Sequence, residues 1–199
     1  VIVAGGWSSE RSVSINSGKN VFSILKKSGY RVTFFDLKKN NLLKLFNSKP
    51  DLIFNALHGE FGEDGGLSCL ANKYKIPITH SNDISSALCF NKRLLKKFLK
   101  NEINLLSPRE LHEIKKINFP LILKPNSDGS SKGVRVIKDI NELKKIKIDE
   151  NILIEEKING RELTVTVIED KRKIRALGVT EITYKSGHYD FKTKYTYGK

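Results

Sequence analysis

The chain has 199 residues, 39% of them hydrophobic and 29% charged; that is enough apolar material for a buried core, which excludes an intrinsically disordered chain and leaves room for one large domain or two small ones. The net charge of +14 (36 Lys and Arg against 22 Asp and Glu) invites a nucleic-acid reading. The basic residues, however, are mostly lysines scattered in pairs such as Lys26-Lys27 and Lys96-Lys97, and aromatics do not interleave with them, so the charge reads as solvated faces and no nucleic-acid partner is expected.

Residues 1–4 read as a short apolar strand that Gly5-Gly6 breaks. Residues 12–27 carry Val13, Val21, Ile24 and Leu25 at roughly helical spacing, and Gly29 stops them. A strand over 31–37, a helix over 41–46 and an almost continuous apolar strand over 51–57 follow; the last is the kind buried in a parallel sheet. It ends at His58-Gly59 and a loop holding Gly62, Gly65 and Gly66, after which come a helix over 67–74 and a strand over 76–79. This βαβαβ rhythm predicts a doubly wound parallel sheet.

From about Asn82 the rhythm changes, and a boundary is expected near residues 82–90. Two helices (84–90 and 92–101) precede a strand over 119–124, a Gly/Ser loop over 126–133 and a strand over 134–137, a strand–loop–strand order that suggests an antiparallel hairpin. A helix over 141–147 and strands over 152–156, 163–169 and 174–183 complete an α+β half. No apolar run approaches the ~18 residues of a membrane span, so no membrane partner is expected. Cys69 and Cys89 suit free thiols in a reducing cytosol. The four histidines are not spaced as metal ligands, and no metal site is predicted. There is no Met even at position 1 and the chain opens inside a strand-like run, so a longer gene product is expected.

Several residues carry chemistry. Lys124 ends an apolar strand and is followed by Pro125 and by Asn126-Ser127-Asp128-Gly129-Ser130-Ser131-Lys132-Gly133. A lysine there costs free energy unless an anion meets it, and a flexible Gly/Ser loop lets backbone N–H groups approach phosphate oxygens. The order of a Walker A loop is absent, and a lysine snorkelling at a strand end before a plain hairpin is the alternative. Glu155, Glu156 and Glu162 flank Asn159-Gly160 and fit either a nucleotide-binding turn or ordinary turn acids. Glu10 stands at the carboxyl end of the first strand, where open α/β sheets bind ligands, and an acid there can hold an ammonium group; a first-turn helix acid is the other reading. His58 ends the third strand at the same edge, as a ligand contact or a satisfied strand-end histidine. Asp64 reads as a helix-capping acid, and Lys92 as a phosphate contact or a solvent-exposed lysine.

In their order along the chain, these pieces resemble the D-alanine–D-alanine ligases of the ATP-grasp superfamily. The resemblance runs through Gly5-Gly6-Trp7-Ser8-Ser9-Glu10-Arg11-Ser12-Val13-Ser14, Ala56-Leu57-His58-Gly59, Gly62-Glu63-Asp64-Gly65, Asn91-Lys92, Leu123-Lys124-Pro125, Gly129-Ser130-Ser131-Lys132-Gly133-Val134, Leu153-Ile154-Glu155, Gly160-Arg161-Glu162 and Tyr189-Asp190-Phe191-Lys192-Thr193-Lys194-Tyr195. It implies an α/β chain in which a doubly wound substrate domain (1–85) precedes an α+β ATP-grasp domain, incomplete at its C-terminus, with a central subdomain (86–160) and the start of a C-terminal one (161–199). It also implies that Lys92, Lys124, Gly129, Ser130, Ser131 and Gly133 serve the ATP phosphates, that Glu155, Lys157 and Ile158 read adenine, and that Glu162 binds ribose. Glu10 would hold the ammonium of the first D-alanine beside His58, and Lys194 and Tyr195 would lie in a closing loop over the substrates. Glu10, Ser130 and Tyr195 would form a hydrogen-bonded set; Tyr195, rather than Phe, favours dipeptide over depsipeptide.

The implied reaction is ATP-dependent formation of D-alanyl-D-alanine through an acyl phosphate, with Mg²⁺ bridging the phosphates, in the cytoplasm, by a homodimer, for peptidoglycan precursor synthesis. The family's Mg²⁺ ligands and a catalytic arginine belong to a segment beyond Lys199, so these 199 residues taken alone are expected to bind nucleotide poorly and not to catalyse. Lys157 also stands where the family often has an aromatic. The alternatives are another ATP-grasp carboxylate–amine ligase and a truncated, inactive relic of the family.

Overall fold

The computed structural model describes residues 1–103, 107–170 and 173–183. They fall into two compact units, one formed by Val1–Ser107 with Asn126–Gly129 and the other by Pro108–Pro125 with the described residues from Ser130 onward.

The first unit is a parallel sheet in the order β2-β1-β3, built from β1 (Ile2–Gly5), β2 (Phe34–Leu37) and β3 (Phe54–Asn55). A parallel bridge from Ile53 to Ile78 extends it by one residue pair. Helices α1 (Arg11–Lys27), α2 (Leu42–Asn47) and α3 (Gly66–Lys73) connect the strands. Ile2, Ala4 and Ala56 are closed by Ile15, Val21, Phe22 and Leu25 of α1. Val3, Leu37 and Ile53 pack instead with Leu45 and Phe46 of α2 and Leu67 and Ala71 of α3. Alternate residues of β1 thus serve opposite cores, which is why its sequence is apolar throughout, and the doubly wound sheet predicted from the βαβαβ rhythm is present. Helices α4 (Asp83–Phe90) and α5 (Lys92–Ile103) follow; the Asn82 side chain caps α4 by accepting from the Ser85 N–H.

Two strands of this sheet are shorter than the sequence predicts. β2 begins at Phe34 because its partner β1 begins pairing at Ile2 opposite it. β3 pairs only through Phe54 and Asn55 before the Asn55 side chain turns the chain, accepting from the Leu57 N–H and donating to the Gly62 carbonyl.

The second unit holds an antiparallel sheet in the order β5-β4-β6 and a two-stranded β7-β8 hairpin. Its elements are β4 (Leu121–Pro125), β5 (Arg135–Ile137), α6 (Ile140–Lys144), β6 (Ile152–Glu156), β7 (Glu162–Asp170) and β8 (Lys173–Ile182). β4 and β5 pair antiparallel, as a hairpin requires. Leu121 and Leu123 face a core with Ile137, Leu143 and Ile154; the alternation therefore puts Ile122 and Lys124 on the opposite face. Asp139 starts α6 by accepting from the N–H groups of Asn141 and Glu142.

Candidate functional site

In the first unit the chemistry gathers where β1 and β3 end. Ser14, in the first turn of α1, accepts from the Gly5 N–H at 2.8 Å and donates to the Ala56 carbonyl at 2.7 Å, tying the helix to both strand ends. Glu10 occupies the N-cap position of α1, yet its carboxylate makes no capping hydrogen bond, and it is 1% exposed. A helix-start acid favoured by the macrodipole would be at the surface, so that reading does not describe Glu10. The Ser8 hydroxyl accepts from the Glu10 N–H at 3.2 Å and donates to the His58 carbonyl at 2.6 Å, stitching the two segments together.

His58 is half-buried. Its Nδ1 lies 3.6 Å from Glu63 Oε1, an ion-pair distance too long for a full hydrogen bond, and its Nε2 lies 3.4 Å from the Ser17 hydroxyl. The Glu63 contact raises the His58 pKa above its ordinary 6.5, against burial, and the charges of Glu63 and Glu10 add to the rise. Burial alone would raise the Glu63 carboxyl, but His58, the Gly59 N–H and the charge of His80 outweigh it and hold it below its ordinary range. Two glycines let this corner close. A Cβ on Gly59, whose φ is +70°, would come within 3.3 Å of Glu10 Oε2. One on Gly129 would lie 3.3 Å from Glu10 Oε2 and 3.4 Å from Glu63 Oε2. Asp64 does act in the turn, accepting from the N–H groups of Phe61 and Gly66, although the N-cap position of α3 itself is Gly65.

Lys92 opens α5, half-buried rather than solvent-exposed. Its ammonium donates to the carbonyls of Asp128 at 2.7 Å and Asn126 at 3.3 Å. The buried Asn126 side chain accepts from the Arg93 N–H at 3.0 Å, and its carbonyl accepts from the Lys92 N–H. The start of the Gly/Ser loop is therefore bound to the start of α5.

In the second unit, register sets Ile122 opposite Glu155 and Lys124 opposite Leu153, so Lys124 and Glu155 are diagonal neighbours on the face away from the core. They form an ion pair at 2.5 Å, with the Lys124 side chain 25% and the Glu155 side chain 2% exposed. Glu156 is held differently: the Arg109 guanidinium binds its carboxylate in a fork, which lowers the Glu156 pKa. The Arg109 carbonyl also accepts from the Glu156 N–H, and Glu110 bridges Glu155 antiparallel. This pins the end of β6 just before Lys157 and the exposed Ile158. Glu162 opens β7. Ser130 and Ser131 both adopt left-handed backbone, at φ +51° and +56°, a conformation non-glycine residues rarely take. Gly133 at φ +70° would press a Cβ to 2.9 Å from Pro125. Among the described residues, no group of three His, Cys, Asp or Glu side chains is placed to hold a metal ion.

A family model described as D-ala D-ala ligase C-terminus matches residues 93–199. The D-alanine–D-alanine ligase of Zymomonas mobilis is 42% identical over all of this chain and 65% of its own length. The chain belongs to the D-alanine–D-alanine ligase family.

A second D-alanine–D-alanine ligase, from Rickettsia canadensis, is 42% identical over 99% of this chain and 58% of its own length. This member of the family thus spans less than two thirds of either relative. A solved D-alanine–D-alanine ligase from Bacillus anthracis, complexed with ATP, matches with a TM-score of 0.75 at 31% identity, covering 94% of this chain and 67% of that one. The ligase resemblance also marked Lys194 and Tyr195, which lie outside the described residues. Two residues of the site escaped the sequence reading. Asn126 joins loop to helix through the Arg93 N–H, and a buried Asn across the chain leaves no local pattern. Glu63 is the partner of His58; its signal is an acid five residues after the histidine across a turn opened by Gly59 and Gly62, which was absorbed into the capping role of Asp64.

Proposed function

We propose that the complete protein is an ATP-dependent ligase that joins two D-alanines into D-alanyl-D-alanine for peptidoglycan precursors, in the cytoplasm. The single observation that carries this reading is Gly129, a residue of the Gly/Ser loop, packed against the buried carboxylate of Glu10. The start of the Gly/Ser loop thus reaches this acid within the first unit, which supports a reaction between an amino-acid carboxylate and a γ-phosphate.

In this proposal Glu10 takes the ammonium of the first D-alanine, with His58 and Lys194 on the substrate side. Lys124, Gly129, Ser130, Ser131 and Gly133 surround the ATP phosphates, and Lys92 supports them by holding the loop carbonyls. Glu155 with the Lys157 and Ile158 backbone serves adenine, and Glu162 ribose; Ser130 and Tyr195 act with Glu10 in catalysis. The first D-alanine carboxylate attacks the γ-phosphorus and the bond to the β–γ bridging oxygen breaks, releasing ADP. The amine of the second D-alanine then attacks the acyl phosphate carbon, loses its proton and expels phosphate. Catalysis is positioning and charge neutralisation, with no covalent protein intermediate. The Mg²⁺ that the family implies finds no fitting ligand group among the described residues. The division at residues 85 and 160 and a homodimer belong to the same proposal.

The deciding assay is phosphate release from ATP by the complete protein, with D-alanine, D-serine and D-lactate competing as second substrate. D-Alanine-dependent release with dipeptide as the main product is expected; release driven by a different acid or amine would overturn the substrate assignment. Glu10→Gln should weaken the first D-alanine by tenfold or more, roughly one charged hydrogen bond, and leave ATP little changed.

A further inference from the structure

We propose that Glu63 is a positioning residue of the substrate corner: one carboxylate oxygen orients the His58 imidazole, and the other joins Glu10 in facing the place an amino-acid ammonium would occupy. The two oxygens have separate neighbours. Oε1 lies 3.6 Å from His58 Nδ1, while Oε2 lies 3.4 Å from the point a Cβ on Gly129 would take, the same point that Glu10 Oε2 approaches to 3.3 Å. The backbone presents Glu63 inward, because its N–H donates to the Gly59 carbonyl at 2.9 Å and closes the turn back onto the histidine segment. Turn formation does not account for the side chain, since Asp64 already accepts from the N–H groups of Phe61 and Gly66.

His58 faces Glu63, Glu10, His80 and the Ser17 hydroxyl; Glu63 faces His58, His80 and the Gly59 N–H. With Nδ1 turned toward Glu63 Oε1, Nε2 is the ring nitrogen presented to Ser17. Two carboxylate oxygens converging on one point favour a cation there, and a substrate ammonium supplies it. What the corner binds rests on the ligase reading; that Glu63 governs His58 does not.

Two readouts on the complete protein test this and separate the two ideas. The first is NMR titration of the histidine rings, with a His58→Gln variant to assign the signal. In Glu63→Gln the His58 midpoint should fall measurably. An unmoved His58 midpoint would overturn the proposal, whether or not the protein is a ligase. The second is steady-state kinetics. Glu63→Gln should raise the KM for D-alanine about tenfold with the KM for ATP within about twofold, and Glu63→Asp should recover part of the loss. Equal rises in both KM values, or no rise for D-alanine, would reject the ammonium-facing role. If the wild-type protein releases no phosphate with D-alanine, the ligase reading fails while the titration still decides the positioning role.

Discussion

Lys124 and Glu155 set a conflict that a substitution can expose. The two side chains are paired, so the ammonium has both a structural partner and a proposed phosphate role. Removing one member of a buried pair costs about 3–5 kcal/mol, whereas replacing both can be close to neutral. Lys124→Ala should therefore lower the stability of the second unit and abolish ATP binding. Lys124→Ala combined with Glu155→Gln should restore most of the stability and none of the ATP binding. Denaturant melts and nucleotide titration of both variants read the two effects separately, and normal ATP binding by the double variant would refute the phosphate role. The sequence marked Lys124 because a lysine in an apolar strand demands an anion; it could not reveal that Glu155 answers the demand, because strand register decides that. Glu10 was legible for its place at a strand end, and its burial was not, because burial depends on Gly59 and Gly129 arriving from two other segments.

At the scale of elements, α1 sits on β1 with almost no space between them. A Cβ at Gly18 would lie 2.5 Å from the Ala4 Cβ and 3.0 Å from the Phe34 ring. Gly18→Val should push the helix off the strand and destabilise the first unit by about 1–3 kcal/mol, and it should also weaken D-alanine binding, since α1 begins at Glu10. Thermal melts check the first effect; an unchanged Tm would mean the helix shifts freely over the sheet. Strand identities were readable here and strand lengths were not. Residues 152–156 read as a strand and are β6, because all five find a partner in β4. Residues 76–79 carry the same apolar signal, yet they pair only through the Ile53–Ile78 bridge, with the Thr79 N–H donating to the Ile53 carbonyl. Propensity makes a segment willing to pair, but the partner's length sets how much of it does.

For the whole molecule, a net charge of +14 means self-repulsion among surfaces that carry few matching acids. Raising NaCl from about 0.1 M to about 1 M shortens the screening length from about 10 Å to about 3 Å. The Tm of the chain should therefore rise by a few degrees with salt; a fall would mean that ion pairs such as Arg161–Glu181 outweigh the repulsion. The division of the chain bears on how it can be taken apart. The first unit ends at Ser107 but recovers Asn126–Gly129 from further along, and those four residues supply the carbonyls that Lys92 grips. A single scission after Ser107 would therefore yield two fragments of which neither is whole. The N-terminal piece would keep its sheet and both cores, yet lose the Asn126 contacts to the start of α5 and the glycine beside Glu10. Dissection of this protein into independently folding halves calls for a graft of the 126–129 segment rather than a cut.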